Sequence, residues 1–252
     1  MKKLIKKIFN QIGIDIKKID KDNINIDFED LLKKKIKKNP LIFDVGANRG
    51  QSIETYKKIF ENPIIHSFEP IKSEFKIMAE IYKNEENVFL NNCALGSQIE
   101  QKELNITVNT KNSSFNKTID SDWLKKRSKE FNVKPADYIT SKQKVNVITL
   151  DHYCEKNKID NIDLLKIDTQ GYEDKVLQGS LNNLRNNNIK AIITEITFSD
   201  IYEKYFSFSD LEKFLIPNNF RMVGINLTNN NLFTGLLFGA DVYYFSKKYY
   251  KI

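Results

Sequence analysis

Residues 41–50 read LIFDVGANRG, and a helix-patterned run from Gln51 to Phe60 follows. Leu41, Ile42, Phe43 and Val45 surround Asp44 with apolar side chains on both faces, the pattern of a strand covered by helices on each side. Gly46 lets the backbone turn tightly and approach a ligand, and Ala47, Asn48 and Gly50 complete the turn. Strand, glycine loop and helix in this order open a parallel α/β sheet that holds a nucleotide cofactor. The second glycine of G-x-G-x-x-G is missing because position 48 is Asn, so the loop makes no slot for a pyrophosphate. Asp44 would repel a diphosphate and suits the cationic amino-acid end of S-adenosylmethionine. A simple tight turn would show the same string, so the neighbouring segments decide.

Working outward, Ile64 to Phe68 forms a second strand that ends in Glu69-Pro70, where an acid is placed to accept both ribose hydroxyls. A solvated strand-end acid would look the same. His66, on the face of Phe68, is expected to be a satisfied core histidine. Further strands are expected at Val88 to Leu90, Leu164 to Ile167 and Ile189 to Ile193, and helices at Ser73 to Tyr82, Tyr172 to Arg185 and Ser209 to Leu215. This alternation predicts a parallel sheet with crossover helices. Residues 97–150 are polar and interrupt it, giving an insertion with a β pair (Leu104 to Val108, Val145 to Leu150) around a long loop. Near the end, Arg221 to Leu227 and Asp241 to Ser246 flank Thr228-Asn229-Asn230-Asn231, a pair of antiparallel strands at one side of the sheet.

The chemistry concentrates in residues 162–179, IDLLKIDTQGYEDKVLQG. An apolar strand delivers Asp168 to the carboxyl edge of the sheet, where ligands of open α/β folds bind, and Gly171 allows the turn into a helix. Glu173 in that helix's first turn is a candidate substrate contact, although the helix dipole alone favours an acid there. Lys166, unusual in an apolar strand, either snorkels out or pairs with an acid near the acceptor. Thr194-Glu195 ends the fifth expected strand in another carboxylate. Asp44, Glu69, Asp168 and Glu195 would therefore give the sheet one acidic edge. Asp168 is the first candidate for a catalytic base, Glu195 the second and His152 a third. No metal site is assigned, and a divalent ion between Asp168 and Glu195 is left open.

The 252 residues carry a net charge of +7, which invites a nucleic-acid reading. Twelve Lys and six acids put +6 of it in residues 1–40, leaving +1 for residues 41–252. Only Arg49, Arg127, Arg185 and Arg221 are arginine, and a chain rich in Lys, Asn and Ile reflects an AT-rich genome better than a selected polyanion site, so no nucleic-acid partner is expected. No run reaches the length of a membrane span. The start, MKKLIKKIFNQIGIDIKK, lacks the apolar core and cleavage site of a signal peptide and is expected to be retained. Its Leu4, Ile5, Ile8, Phe9 and Ile12 make a basic amphipathic helix, which either packs on its own domain or a partner subunit, or docks on an anionic membrane. Cys93 and Cys154 have no partner motif, which points to a reduced, cytoplasmic setting.

Taken in order, FDVGANRG, SFEP, NCALGS, the Asn112-Ser113-Ser114 segment, ITLDHYC, IDLLKIDTQGYEDKVLQG, IITEI, IYEKYFSFSDLEKFL and ADVYYF resemble the FkbM family of S-adenosylmethionine-dependent methyltransferases over residues 40 to about 246. The resemblance implies a class I methyltransferase fold, Rossmann-like, with a seven-stranded sheet whose last strand is antiparallel. It implies O-methylation of a hydroxyl on a sugar or natural product. It matches Asp44, Gly46, Ala47, Asn48 and Gly50 to the cofactor loop, Glu69 to the ribose acid, Asn92 and Ala94 of NCALGS to the cofactor site, and Asp168, Gly171 and Glu173 to the D-x-x-G-x-E segment. Thr169-Gln170 and Tyr172 stand where the family more often has Val-Glu and Phe. Residues 1–39 fall outside it as a basic extension, and 40–252 form the methyltransferase domain. The insertion around Asn112 to Phe131, with Phe115, Trp123 and Tyr138, is expected to shape the acceptor pocket, with Lys166, Glu173 and His152 as substrate contacts. A glycan of the cell surface or its precursor is the favoured acceptor, with a natural product or a lipid as the alternative. A nicotinamide oxidoreductase, disfavoured by the missing glycine, and a non-catalytic cofactor-binding protein are the rivals.

Overall fold

The structure, a computed structural model, describes residues 28–198, 201–204, 206–226 and 239–250. The expected amphipathic helix at residues 1–12 and the Asn-rich turn at 228–231 lie outside them. In chain order come α1 (Phe28–Lys35), β1 (Leu41–Val45), α2 (Gln51–Ile59), β2 (Ile64–Phe68), α3 (Lys72–Ile81) and β3 (Val88–Asn91). The insertion contributes β4 (Ala94–Leu95), β5 (Glu100–Thr107), α4 (Asp122–Glu130) and β6 (Ile139–Ile148). Then follow α5 (Leu150–Asn157), β7 (Leu164–Ile167), α6 (Glu173–Gln178), α7 (Leu181–Arg185), β8 (Ala191–Thr197), α8 (Phe208–Leu215), β9 (Phe220–Asn226) and β10 (Gly239–Ser246).

Seven strands form the main sheet in the order β3-β2-β1-β7-β8-β10-β9, parallel except for β10, which runs against both neighbours. These are the seven strands, with the last one antiparallel, that the resemblance implies. Alternation along each strand splits the core in two. Phe43, Val45, Leu165, Ile167, Ile192 and Val242 pack with α5, α6 and α8 residues on one face. On the other, Ile42, Ile65, Leu164, Ile193 and Tyr243 pack with Leu32 of α1, Ile53 and Tyr56 of α2 and Met78 of α3. Phe28 of α1 stacks on Tyr243 with ring centroids 4.3 Å apart, so residues 28–36 help to cover this face.

Three elements differ from the sequence expectation. The fifth strand is Ala191–Thr197, because Leu165↔Ile192 and Ile167↔Thr194 set its register, while Ile189 makes only an isolated bridge to Ile162. Glu195 therefore sits within the strand instead of ending it. The helix expected over Tyr172 to Arg185 breaks at Gly179-Ser180, where the Ser180 hydroxyl donates to the Val176 carbonyl. Asp151 caps the second half, accepting the Asn182 and Asn183 N–H groups. The loop of the insertion contains α4, capped by the Ser121 hydroxyl, and its β pair is longer than expected, with β5 antiparallel and β4 parallel to β6. No helix among the described residues is long and apolar enough to cross a membrane.

Candidate active site

The β1–α2 loop is shaped by its backbone. Gly46 has φ +85°, and a Cβ there would lie 1.9 Å from the Asp168 carbonyl oxygen, so only glycine lets the loop nest on the end of β7. The Gly46 and Ala47 N–H groups both donate to the Phe68 carbonyl, locking the loop to the end of β2. Asn48, also left-handed at φ 50°, donates its N–H to Glu69 Oε2 at 2.8 Å, and the Ile71 N–H donates to Oε1 at 2.7 Å. Each Glu69 oxygen thus keeps one lone pair. Burial pushes this carboxyl up to about 7 despite the two N–H donors.

Asp44 does not line the cavity that this loop borders. It is fully buried, pairs in register with Lys166, and shares the sheet face of α2 with it. Neither Asp44 oxygen has a hydrogen bond, and the nearest cation is Lys166 Nζ, 3.5 Å from Oδ1. Burial pushes Asp44 up, and Lys166 pulls it the other way. Burial would lower Lys166, but Asp168 and Asp44 outweigh it and hold the ammonium charged. Of the two roles open to Lys166, pairing with acids is the one observed.

Past β7, Asp168 is 40% exposed in its side chain; its Oδ2 lies 3.3 Å from Lys166 Nζ and its Oδ1 accepts from Gln170 Nε2 at 3.0 Å. The same Gln170 amide nitrogen donates to Glu195 Oε2 at 2.9 Å, so its two hydrogens serve two carboxylates that would otherwise repel. Burial first, then Asp168, Glu173 and Asp241, raise Glu195 well above the usual carboxylate range. Asp241 faces Glu195 across the β8–β10 ladder and is pushed up to about 6 by burial and Asp168, against Lys166. Glu173 lies under the loop: its Oε1 accepts from the Thr169 N–H and hydroxyl and the Gly171 N–H, and burial raises it to about 7. That position braces the loop and keeps Glu173 off the cavity wall.

The cavity holds about 360 Å³. It brings together Gly46, Ala47, Asn48, Glu69, Ala94, Lys166 and Asp168 of the expected residues, with Phe68, Ile71 and Leu95 as apolar wall. Gly50 supports it from outside, its carbonyl accepting the Tyr82 hydroxyl. Asn92 binds the Glu69 carbonyl and Glu195 stands behind Gln170. His152 is exposed on α5 and is not brought to the cavity, and His66 is a core residue with Nδ1 2.7 Å from the Tyr153 hydroxyl. Phe115 lines the cavity, whereas Trp123 and Tyr138 are buried in a small core of the insertion with Leu124, Ile201 and Tyr202. No three His, Cys, Asp or Glu side chains among the described residues are arranged to hold a metal ion.

The insertion around Asn112 was expected at the acceptor pocket, but its contacts to the loop after β7, and the part played by Tyr202 and Asp241, were not foreseen. The Asn112-Ser113-Ser114 segment and Asn116 clamp the loop after β7, with the Ser114 hydroxyl donating to the Gln170 carbonyl at 2.6 Å and Asn116 Nδ2 to that of Gly171 at 2.6 Å. Tyr202 donates to Gln170 Oε1 at 3.2 Å. Asp241 was detectable by the same signal as Lys166, a lone charge in an otherwise apolar strand.

The family model described as "Methyltransferase FkbM domain" matches residues 44–222. No curated protein matches the chain. Among solved structures, the fibrillarin pre-rRNA processing protein of Methanococcus jannaschii is 12% identical, with 84% of this chain and 68% of that one covered and a TM-score of 0.46. A SAM-dependent methyltransferase from Aquifex aeolicus is 11% identical, with 86% and 88% covered and a TM-score of 0.46. Aeropyrum pernix fibrillarin, solved with S-adenosyl-L-methionine bound, is 12% identical, with 86% and 73% covered and a TM-score of 0.44. The family match runs from Asp44 in β1 to Met222 in β9 and takes in the glycine loop, Glu69, Asp168 and Glu195, and the chain therefore belongs to the FkbM family of S-adenosylmethionine-dependent methyltransferases.

Proposed function

We propose that the chain methylates a hydroxyl of a sugar, on a cell-surface polysaccharide or its precursor. The observation that carries this reading is Asp168, a half-exposed carboxylate on the wall of the same cavity as the glycine loop and Glu69. The residues suit S-adenosylmethionine: Glu69 offers two lone pairs to a ribose diol, Phe68, Ile71 and Leu95 offer an apolar slot to a flat ring, and carboxylates favour a sulfonium. When bound, this group supplies an electrophilic methyl that needs no activation by the protein.

The chain's own task is to align an acceptor oxygen and remove its proton. Asp168 takes the proton on a carboxylate oxygen, each of which keeps a lone pair beside its bond to Lys166 or Gln170. Lys166 keeps Asp168 in place and holds countercharge beneath it. Glu195, the second candidate, is buried behind Gln170 and off the cavity wall, so it takes no part in proton removal. The insertion adds amides and hydroxyls from Asn109, Thr110, Asn112 and Ser113, with Phe115 packed on Tyr172 at 4.5 Å between centroids, a lining suited to the polar edge and apolar face of a sugar ring. The near-neutral body leaves nucleic acid without an electrostatic handle, and free Cys93 and Cys154 accord with a cytoplasmic setting. Incubation with a labelled methyl donor and polysaccharide extracts is expected to give a labelled glycan. Label appearing only in RNA or in a non-carbohydrate product would overturn the reading.

Glu69 makes cofactor binding pH-dependent. Its ionised form accepts the ribose hydroxyls, so affinity for S-adenosylhomocysteine is expected to be level above the Glu69 value of about 7 and to fall below it. The slope approaches about tenfold per pH unit, as for loss of one proton. Stability of the free protein moves oppositely. Glu69 and Glu173 bind protons more tightly folded, at about 7, than unfolded, at 4.5, so their contribution to stability is lost as pH rises through that interval. Calorimetry from pH 5 to 9 checks the first statement, and Glu69→Gln should flatten the profile; an unchanged profile would remove Glu69 from the cofactor site.

A further inference from the structure

We propose that the acceptor carries an anionic group, a carboxylate or a phosphate, which Arg127 and Lys111 of the insertion receive; this rests on the reading of the cavity as the methyl-transfer site. The cavity is electrically two-sided. Its sheet side contributes the carboxylates Glu69 and Asp168, and the one cation there, Lys166, is engaged by Asp44 and Asp168. The insertion side contributes amides, hydroxyls and the two cations Lys111 and Arg127, and no acid.

Lys111 is not paired within the fold, and Arg127, paired with Glu130 through Nη1, keeps Nη2 unengaged among the described residues. Lys111 is the middle residue of the turn Thr110–Asn112, its N–H donating to the Asn109 side chain, and its ammonium makes no ion pair among the described residues. Arg127 is one of four arginines among 40 basic residues. Its guanidinium is seated over the Trp123 ring, 5.8 Å from the centroid, and only Nη1 is engaged, at 2.8 Å from Glu130 Oε2. Nε is buried without a hydrogen-bond partner among the described residues. A guanidinium held on an aromatic plane with Nη2 unengaged can donate to an oxyanion, and here it borders the cavity whose opposite side holds the expected base. Asn112, beside Lys111, reaches Gln170, so the cationic wall is tied to the loop that positions Asp168.

The cofactor's own methionine carboxylate presents the same chemistry, and the test separates the two sources. The native protein, saturated with S-adenosylhomocysteine, is titrated with glucuronate, glucose 1-phosphate and glucose. Glucuronate or glucose 1-phosphate is expected to bind at least about tenfold more tightly than glucose, and Arg127→Gln and Lys111→Gln should each erase most of that preference. Arg127→Lys, which keeps the charge and loses the fork, should fall between. Lys111→Gln alters an exposed residue and keeps the proposal testable if the Arg127 variants fold poorly. Equal binding of the three sugars by the native protein overturns the inference. So does a matching loss of S-adenosylhomocysteine affinity in the variants, which would give the cations to the cofactor. The labelled-methyl assay reads separately: anion preference with no glycan methylated would overturn the proposed function and leave this inference standing.

Discussion

Asp168→Asn is expected to bind S-adenosylhomocysteine within about threefold of the native protein and to transfer methyl slower by a factor on the order of 10² to 10⁴, the usual contribution of a positioned general base. The substitution keeps shape and the possibility of accepting from Lys166 at 3.3 Å, so the floor of the site should survive it. An amide oxygen is far too weak a base to take a hydroxyl proton. The loss should appear in kcat more than in KM, because proton removal belongs to the transition state. Glu195 offers no ready substitute, since it stands behind Gln170 and holds its own proton more tightly than an ordinary carboxylate. Undiminished turnover in the variant would eliminate Asp168 as the base. Lost cofactor affinity with unchanged kcat would move it to the cofactor's side of the cavity.

Gly46→Ala should do the converse and abolish cofactor binding. Two costs coincide at this residue. A non-glycine residue at φ +85° is strained by about 1–3 kcal/mol. The new methyl would also overlap a backbone atom, the Asp168 carbonyl oxygen at 1.9 Å, which cannot swing aside as a side chain could. Relief requires the β1–α2 loop to lift from β7, breaking the N–H bonds to Phe68 and displacing Asn48 from Glu69. Affinity for S-adenosylhomocysteine is expected to fall at least about 100-fold, the equivalent of about 2.7 kcal/mol, with a lower melting temperature. Gly50→Ala is the informative control, since it carries the same backbone strain at φ +86° but its Cβ would meet the Tyr82 side chain, at 2.4 Å, and no backbone atom. Normal binding by the Gly46 variant would show that the loop is not the cofactor seat.

The sequence made the main sheet legible where strand identity follows from short apolar runs. Leu41–Val45, Ile64–Phe68 and Leu164–Ile167 form with the expected ends, because covering on both faces leaves a run with no polar position except Asp44, His66, Ser67 and Lys166. The eighth strand starts two residues later and ends four residues later than expected because Ile189 is as apolar as its successors, and only pairing with its neighbours sets the ends. The α4 helix was invisible for another reason: DWLKKRSKE buries only Trp123, Leu124 and Ser128, too few to write a periodic stripe. Within the site, the loop glycine, Glu69 and Asp168 could be named from their positions after strands. The roles of Gln170, Asn112, Ser114 and Asn116 could not, since they arise from residues more than fifty positions apart meeting at one loop. Asp44 illustrates the limit of face assignment: an acid that leads into a glycine loop need not line the cavity which that loop borders when its own strand partner is a lysine.

The place of β10 has a consequence for how the protein is made. It lies between β8 and β9, so during synthesis β8 has no partner on that side until residue 246 has left the ribosome, and β9 has no neighbour at all. For that interval the chain exposes the edge of β8, a largely buried strand of the finished sheet and a template for pairing with other nascent chains. Productive folding therefore depends on a late insertion that also delivers Asp241 beside Glu195. Yield should be limited by chaperone capture and elongation speed over the final stretch more than by the intrinsic stability of the finished sheet.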